Sequence, residues 1–281
     1  MAQTVFQAIS CKVTHTLEQE GPHLTQIDAY YSESLAITIL LQGSGICFVE
    51  GSMYPMAPGD LVLMRADELR CYRFVQDGVH ERVSIYLQPS FPDSFGELSL
   101  LQIFRDRDPG VGNKIKLKEA DSTGWHTLLE IRDWMSSSIS KGNDLAQAEL
   151  QLLILRLLIR LNRIRASAIE DAPYSGDPAI ENVCRYIREH LTETLTYQHI
   201  QEHCRVNRYQ LGEVFHRSTG MTLTEYIIHK RLLRVVELVR SGAGIESAAA
   251  EAGFQTYSHF YKAFVRQKGI SPRHYFQNKP H

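Results

Sequence analysis

Residues 200–220, IQEHCRVNRYQLGEVFHRSTG, and residues 249–269, AAEAGFQTYSHFYKAFVRQKG, read as two copies of one pattern. They align at a separation of 49 residues: Glu202 with Glu251, Leu211 with Phe260, Phe215 with Phe264, Arg217 with Arg266, Gly220 with Gly269 and, further on, Tyr226 with Tyr275. Each copy has a short helix, a tight turn, a second helix opened by a capping residue and a glycine that stops it. The first copy places a leading helix at 197–203, an N-cap at Asn207 and a second helix at 208–217. The second copy places a leading helix at 245–252, a turn at Gly253 and a helix capped by Thr256 that runs to Gln267.

Within each second helix the large apolar residues fall four apart, Leu211 with Phe215 and Phe260 with Phe264, which fixes the side turned to a core. The other side must face outward. It presents Arg208, Tyr209, Gly212, Glu213 and His216 in the first copy and Tyr257, Ser258, Tyr261, Lys262 and Val265 in the second. A tyrosine-rich, basic edge at a helix N-terminus suits a major groove, where side chains meet base edges and helix-end amides meet phosphates. Residues 222–240 read as one amphipathic helix, with Lys230, Arg231 and Arg234 expected on its solvated side. Nineteen residues at a rise of about 1.5 Å give roughly 28 Å, close to the ~34 Å turn of a duplex, so one chain is expected to read two successive grooves.

The remainder of the chain fits a separate domain. The 281 residues, 43% hydrophobic, are long enough for two domains. The net charge of −2 hides an asymmetry: from Asp177 onward 14 basic residues outnumber 10 acidic ones, leaving 16 basic and 22 acidic before it. From Gln26 to Gln88 short β-branched and aromatic runs, at 36–41, 46–49, 61–64 and 82–87, alternate with Gly and Pro turns, as in an antiparallel barrel or sandwich. Helical periodicity follows at 124–138 and 144–165. The second of these is apolar on more than one face, through Leu150, Leu153, Leu157, Leu158, Leu161 and Ile164, and is expected to pack on the barrel and on a second copy of itself.

The expected organisation is therefore α+β. A β-barrel at 1–112 and a helical dimerisation element at 113–166 are followed by a polar linker at 167–177. An all-α unit at 178–281 then holds two helix-turn-helix modules joined by a long helix. Five cysteines without C-x-x-C spacing favour reduced thiols over a disulfide framework or zinc site. No export signal opens the chain, and the apolar run at 152–161 is too short to span a bilayer, so a cytoplasmic location without membrane contact is expected.

The run from Ile200 to Gly220, with Ile245-Glu246-Ser247-Ala248-Ala249, Ala252-Gly253-Phe254, Ser258-His259-Phe260 and Gly269-Ile270-Ser271-Pro272-Arg273-His274-Tyr275, resembles the AraC/XylS family of transcriptional regulators over about 180–276. The resemblance implies base contacts from Arg208, Tyr209, Gly212 and Glu213 in the first module and from Tyr257, Ser258, Tyr261 and Lys262 in the second. Gly212 and Glu213 depart from the longer polar or basic residues common there, and Glu213 repels phosphates. Gly43-Ser44-Gly45, Pro58-Gly59-Asp60-Leu61 and Glu81-Arg82-Val83 look like the cupin-type barrel that precedes this domain in many members and senses a small ligand, often a sugar. For that ligand Tyr30, Arg70, Tyr72 and Tyr86 are the candidates, since aromatic faces and a forked donor suit a sugar or carboxylate.

The expected partners are double-stranded DNA, a small-molecule effector, RNA polymerase and a second copy of the chain. No cofactor is expected. The alternative, a metal-dependent cupin enzyme, lacks its ligands: no His-x-His occurs in the barrel, and His23 is the one histidine between Glu20 and Val75.

Overall fold

The computed structural model describes residues 2–8, 10–19, 25–30, 34–66, 68–75, 79–88, 91, 94–95, 98–137, 144–167 and 178–278. The chain divides into two compact units, Met1–Ser175 and Gly176–His281. Of the expected linker only Ser167 falls within the described residues.

In the N-terminal unit the described residues begin with the strands β1 (Ala2–Gln7), β2 (Cys11–Gln19), β3 (Thr25–Tyr30), β4 (Leu35–Gln42), β5 (Ser44–Val49), β6 (Ser52–Met56), β7 (Asp60–Met64), β8 (Arg70–Val75) and β9 (Val79–Leu87). A small hairpin, β10 (Ser94–Phe95) with β11 (Leu98–Ser99), and helix α1 (Gln102–Arg105) lead to β12 (Lys114–Lys116). Helices α2 (Leu117–Ala120), α3 (Ser122–Ser136) and α4 (Asp144–Ser167) complete the unit. The strands form two main antiparallel sheets, ordered β1-β2-β9-β4-β7-β12 and β3-β8-β5-β6. The strand runs expected at 36–41, 46–49, 61–64 and 82–87 lie in β4, β5, β7 and β9. Two further strands, β1 and β2, precede the expected strand region, and β12 carries the larger sheet past residue 112 by pairing with β7.

The larger sheet is covered on both sides, which explains why β4 is buried along most of its length. Ile37 and Ile39, with Val83, Ile85 and Leu87, pack under α3 and α4 against Leu128, Ile131, Leu150, Ile154, Leu157 and Leu161. On the opposite side Ala36, Leu40, Val62 and Met64 meet Cys47, Val49, Tyr54, Met56, Tyr72 and Phe74 of the smaller sheet. The alternation of side chains along one strand thus feeds two cores.

Polar clamps fix the helices on the sheet. Arg160 of α4 forks onto Asp121, at 2.5 and 2.6 Å, while Asp121 caps α3 by accepting from the Thr123 N–H. Arg165 Nη1 donates to Ile103 O at 2.9 Å and Asn162 Nδ2 to Leu100 O at 3.0 Å. Below the sheets Arg107 forks onto Glu68, both contacts at 2.6 Å, and the carboxylate also accepts from the Arg65 and Gly110 N–H groups and Asn113 Nδ2. Glu68 is fully buried, and a buried charge is tolerated when it is paired and hydrogen-bonded in this way. The outer side of α4 stays exposed at Leu145, Leu152 and Ile159, seven residues apart.

The C-terminal unit is helical: α5 (Pro178–Glu189), α6 (Tyr197–Cys204), a π-helical turn (Gln210–Val214) that runs into α7 (Phe215–Thr219), α8 (Leu223–Arg240), α9 (Ile245–Glu251), α10 (Tyr257–Lys268) and α11 (Pro272–Asn278). The long joining helix opens on a capping box. Thr222 Oγ1 accepts from the Glu225 N–H, and the Glu225 carboxylate accepts from the Thr222 N–H at 3.0 Å. That bond holds the Glu225 carboxyl below its ordinary range.

Lys230 and Arg231 are a correction to the sequence reading. Lys230 is buried, its ammonium 5.8 Å from the Tyr226 ring centroid, and Arg231 is half-buried on backbone carbonyls. Only Arg234 of that trio is exposed. Long basic side chains can bury their stems along a helix pair, which periodicity does not reveal. All five cysteines are free, buried thiols. No described helix is long and apolar enough to cross a membrane.

Candidate nucleic-acid interface

Each module is organised around an aromatic pair. Phe215 and Tyr226 meet edge to face, with centroids 5.5 Å apart and planes at 81°; Phe264 and Tyr275 repeat this at 5.3 Å and 78°. All four rings are buried, as are Leu211 and Phe260 one turn earlier on the same helices. The second module's core also takes Leu232, Val235, Val236 and Leu238 from α8, with Ala248, Ala249 and Ala252 beneath. Both glycines that follow the second helices, Gly220 and Gly269, are left-handed, at φ 74° and 72°. They occupy the repeat's equivalent positions and end the helices where an L side chain would be strained.

With those faces committed to the core, the others are outside. Arg208, Tyr209, Gly212, Glu213 and His216 are all exposed, as are Tyr257, Ser258, Tyr261 and Lys262. Val265, grouped with the outward face by spacing, is half-buried. Tyr209 is 59% exposed and Tyr257 and Tyr261 are 43% and 42%, high for rings of this size. Tyr257 rests on Phe260 at 5.5 Å, so its ring is held at the rim of the core and not free in solvent.

Both helix starts are capped by side chains. Asn207 Oδ1 accepts from the Gln210 N–H and Gln210 Oε1 accepts from the Asn207 N–H, each at 2.9 Å; Thr256 Oγ1 accepts from the His259 N–H at 3.2 Å. These caps fix the direction of each helix axis at the end where groove contacts are made. The modules differ in two respects. The left-handed turn residue is Arg205 (φ 54°) in the first and Gly253 (φ 94°) in the second, a separation of 48 and not 49, so the turns differ by one residue although the caps stay in register. The first reading helix also loosens into the π-helical turn around Gly212, where a Cβ would meet nothing within 4 Å. A helix-interior glycine and an i→i+5 turn both weaken the helix locally and leave bare backbone on its outer surface.

The modules are stapled to each other by Arg231. From the middle of α8 its Nε donates to Leu191 O at 3.0 Å and its Nη2 to Glu193 O at 2.7 Å, in the loop between α5 and α6. Gly253 presses into the same place: a Cβ there would lie 2.8 Å from Leu191 O and 3.0 Å from Arg231 Nε. The turn of the second module is therefore seated on the first. Burial also pushes His229, on the same helix, down to about 4, so a neutral ring packs beside Gln267.

The ligand candidates of the N-terminal unit separate. Tyr72 and Tyr86 line a cleft of about 200 Å³ on the inner side of the larger sheet. Arg70 is fully buried and does not line it. The side chain of Tyr30 and all of His23 lie outside the described residues. Lining residues not anticipated from sequence include Lys12, Thr14, Thr16, Thr38, Arg82 and Ser84. The i, i+2 spacing of Lys12, Thr14 and Thr16, matched by Arg82, Ser84 and Tyr86, is the signal that could have found them. Among the described residues no three His, Cys, Asp or Glu side chains cluster as a metal site.

If Arg231 sets the relation of the two reading helices, Arg231→Ala lowers the stability of the chain by about 1 kcal/mol, since its two hydrogen bonds to the α5–α6 loop are lost and water answers the exposed Glu193 carbonyl in their place. It also weakens DNA binding at a site that needs both modules. Thermal unfolding and a gel-shift titration measure the two effects, and unchanged values for both would remove the staple.

A helix-turn-helix domain model matches residues 201–278. Over most of its length the chain is similar to HTH-type transcriptional activators: 24% identical to RhaR of Cronobacter sakazakii, covering 86% of this chain and 83% of the relative, and 24% identical to RhaS of Escherichia fergusonii, covering 86% and 85%. Among solved structures, unsaturated-fatty-acid-bound wild-type ToxT from Vibrio cholerae is similar at 16% identity over 95% of each chain, with a TM-score of 0.42. The DNA-binding domain of AdpA in complex with a target DNA is 27% identical over 35% of this chain and 89% of that domain, with a TM-score of 0.33. With its duplicated helix-turn-helix unit matched by the domain model and with transcriptional activators similar to it over most of its length, the chain is a DNA-binding transcription regulator that carries an AraC-type helix-turn-helix domain.

Proposed function

We propose that the chain reads two adjacent major grooves through Arg208, Tyr209, Gly212, Glu213 and His216 in the first module and Tyr257, Ser258, Tyr261 and Lys262 in the second. The supporting observation is that all nine are exposed while the alternate faces of the same helices hold the buried Phe215–Tyr226 and Phe264–Tyr275 pairs. The second module carries more of the affinity, because Glu213 repels phosphates and Gly212 offers only backbone.

The N-terminal unit, read as sensor barrel and helical element, takes a small-molecule effector in the cleft beside Tyr72 and Tyr86, and the outer stripe of α4 pairs two chains. Support for pairing comes from Leu145, Leu152 and Ile159, exposed at heptad spacing. A single monomer species in sedimentation at micromolar concentration would remove it. The protein acts in the cytoplasm, in contact with RNA polymerase, and the activator relatives support raised transcription. Run-off transcription with purified polymerase, falling instead of rising with added protein, would reverse that last assignment.

The reading of the second module is tested on genomic fragments selected by the purified chain. Lys262→Ala is expected to weaken binding about tenfold and, if Lys262 meets phosphate, to reduce the slope of log affinity against log salt by about one. Binding unchanged by Lys262→Ala and by Tyr261→Ala would contradict the assignment.

A further inference from the structure

The inner side of the larger sheet is apolar toward β7 but polar toward β2. Opposed residues in the β2–β9 register place Lys12 beside Tyr86, Thr14 beside Ser84, Thr16 beside Arg82 and Glu18 beside His80. Across β9 from Thr14, Thr38 of β4 continues this row, opposite Ser84. Thr14, Thr16, Thr38 and Ser84 are each at most 7% exposed, yet they line an open cleft and not a packed core. Interior hydroxyl groups in such number are costly unless something polar answers them, and a row of them beside aromatic rings matches a polyol, whose C–H faces rest on the rings.

The hydroxyl row is partly organised already. Tyr72 donates to Thr38 Oγ1 at 3.0 Å, and Thr38 Oγ1 lies 3.1 Å from Ser84 Oγ. At one end of the row Arg82 is held on three sides, over the Phe74 ring at 5.0 Å, 3.4 Å from His80 Nδ1 and 3.6 Å from Glu18 Oε1. Burial and the neighbouring guanidinium push His80 down to about 4, so the ring is neutral and adds no charge. At the other end Lys12 is half-buried over Tyr86, with no carboxylate beside it among the described residues. Lys12, Arg82 and Glu18 sum to a single positive charge, which matches one carboxylate and not a dianionic phosphate ester.

We infer that this cleft binds a polyhydroxylated monocarboxylate of sugar-monomer size, an aldonic or uronic acid, with its carboxylate on Lys12 and its hydroxyls on Arg82 and the Thr–Ser row. The inference rests on the effector reading proposed above and gives that site its ligand class. The volume, about 200 Å³, is of sugar-monomer size, and the mostly polar walls would leave a long acyl chain with few apolar contacts.

Calorimetric titration of the full chain with D-gluconate, D-galacturonate, D-galactose and hexanoate tests it. At least one of the two hydroxylated acids is expected to bind more tightly than galactose, and hexanoate not at all. Lys12→Gln should weaken the acid about tenfold while leaving galactose unchanged, whereas Arg82→Gln should weaken both. Lys12→Gln replaces a half-buried residue and keeps part of its aliphatic stem, so circular dichroism matching the parent chain separates lost binding from lost folding. Galactose binding that matches or exceeds the acids', or acid binding indifferent to Lys12→Gln, overturns the ligand class and leaves the effector reading standing. Absence of binding by all four compounds overturns the ligand class, and with DNA binding also unmoved by any of them the effector reading falls too.

Discussion

Everything in the C-terminal unit follows from how two short amphipathic helices spend their apolar faces. Phe215 against Tyr226 and Phe264 against Tyr275 are the same contact made twice, at nearly the same distance and angle. Edge-to-face rings of this kind hold orientation as well as area, since sliding or rolling the helix breaks the quadrupole match. Once each reading helix is pinned this way, its opposite side has no core left to enter, and Tyr209, Tyr257 and Tyr261 remain partly exposed at its surface. Exposure of these rings is the result of packing elsewhere.

Pinning each helix separately is not enough for a protein that must address two grooves at once. Tyr226 and the Leu232–Val236 region belong to one continuous helix, so α8 enters both cores, and its capping box fixes where it begins. Arg231 then adds a cross-tie from that helix to the α5–α6 loop, with Gly253 seated against the same carbonyl. The turn of the second module needs glycine twice over, for its positive φ and for the absence of a Cβ. The first module has Arg205, an exposed residue, in the left-handed region, a strain of about 1 kcal/mol.

The repeat, the two caps and the outward residues were legible because they depend on local periodicity: Asn207 and Thr256 are both helix caps in the structure. Arg231 was not, since its partners lie some forty residues away and a basic residue on a helix ordinarily reads as solvated. The strands β4, β5, β7 and β9 announced themselves by β-branched runs. By contrast β2 sets Lys12, Thr14, Thr16 and Glu18 along one face, so it offered no apolar run to read as a strand. That same polarity is what makes the cleft, and Arg70, chosen by residue type alone, proved to be buried away from it. The π-helical turn at Gln210–Val214 had only Gly212 to betray it.

Hydroxyl-radical footprinting of the full chain on a selected DNA fragment tests the central claim most directly. Each bound chain should protect two patches on one side of the duplex, separated by about one helical turn, or ~10 base pairs. One patch per chain, or two on opposite sides of the duplex, would contradict it.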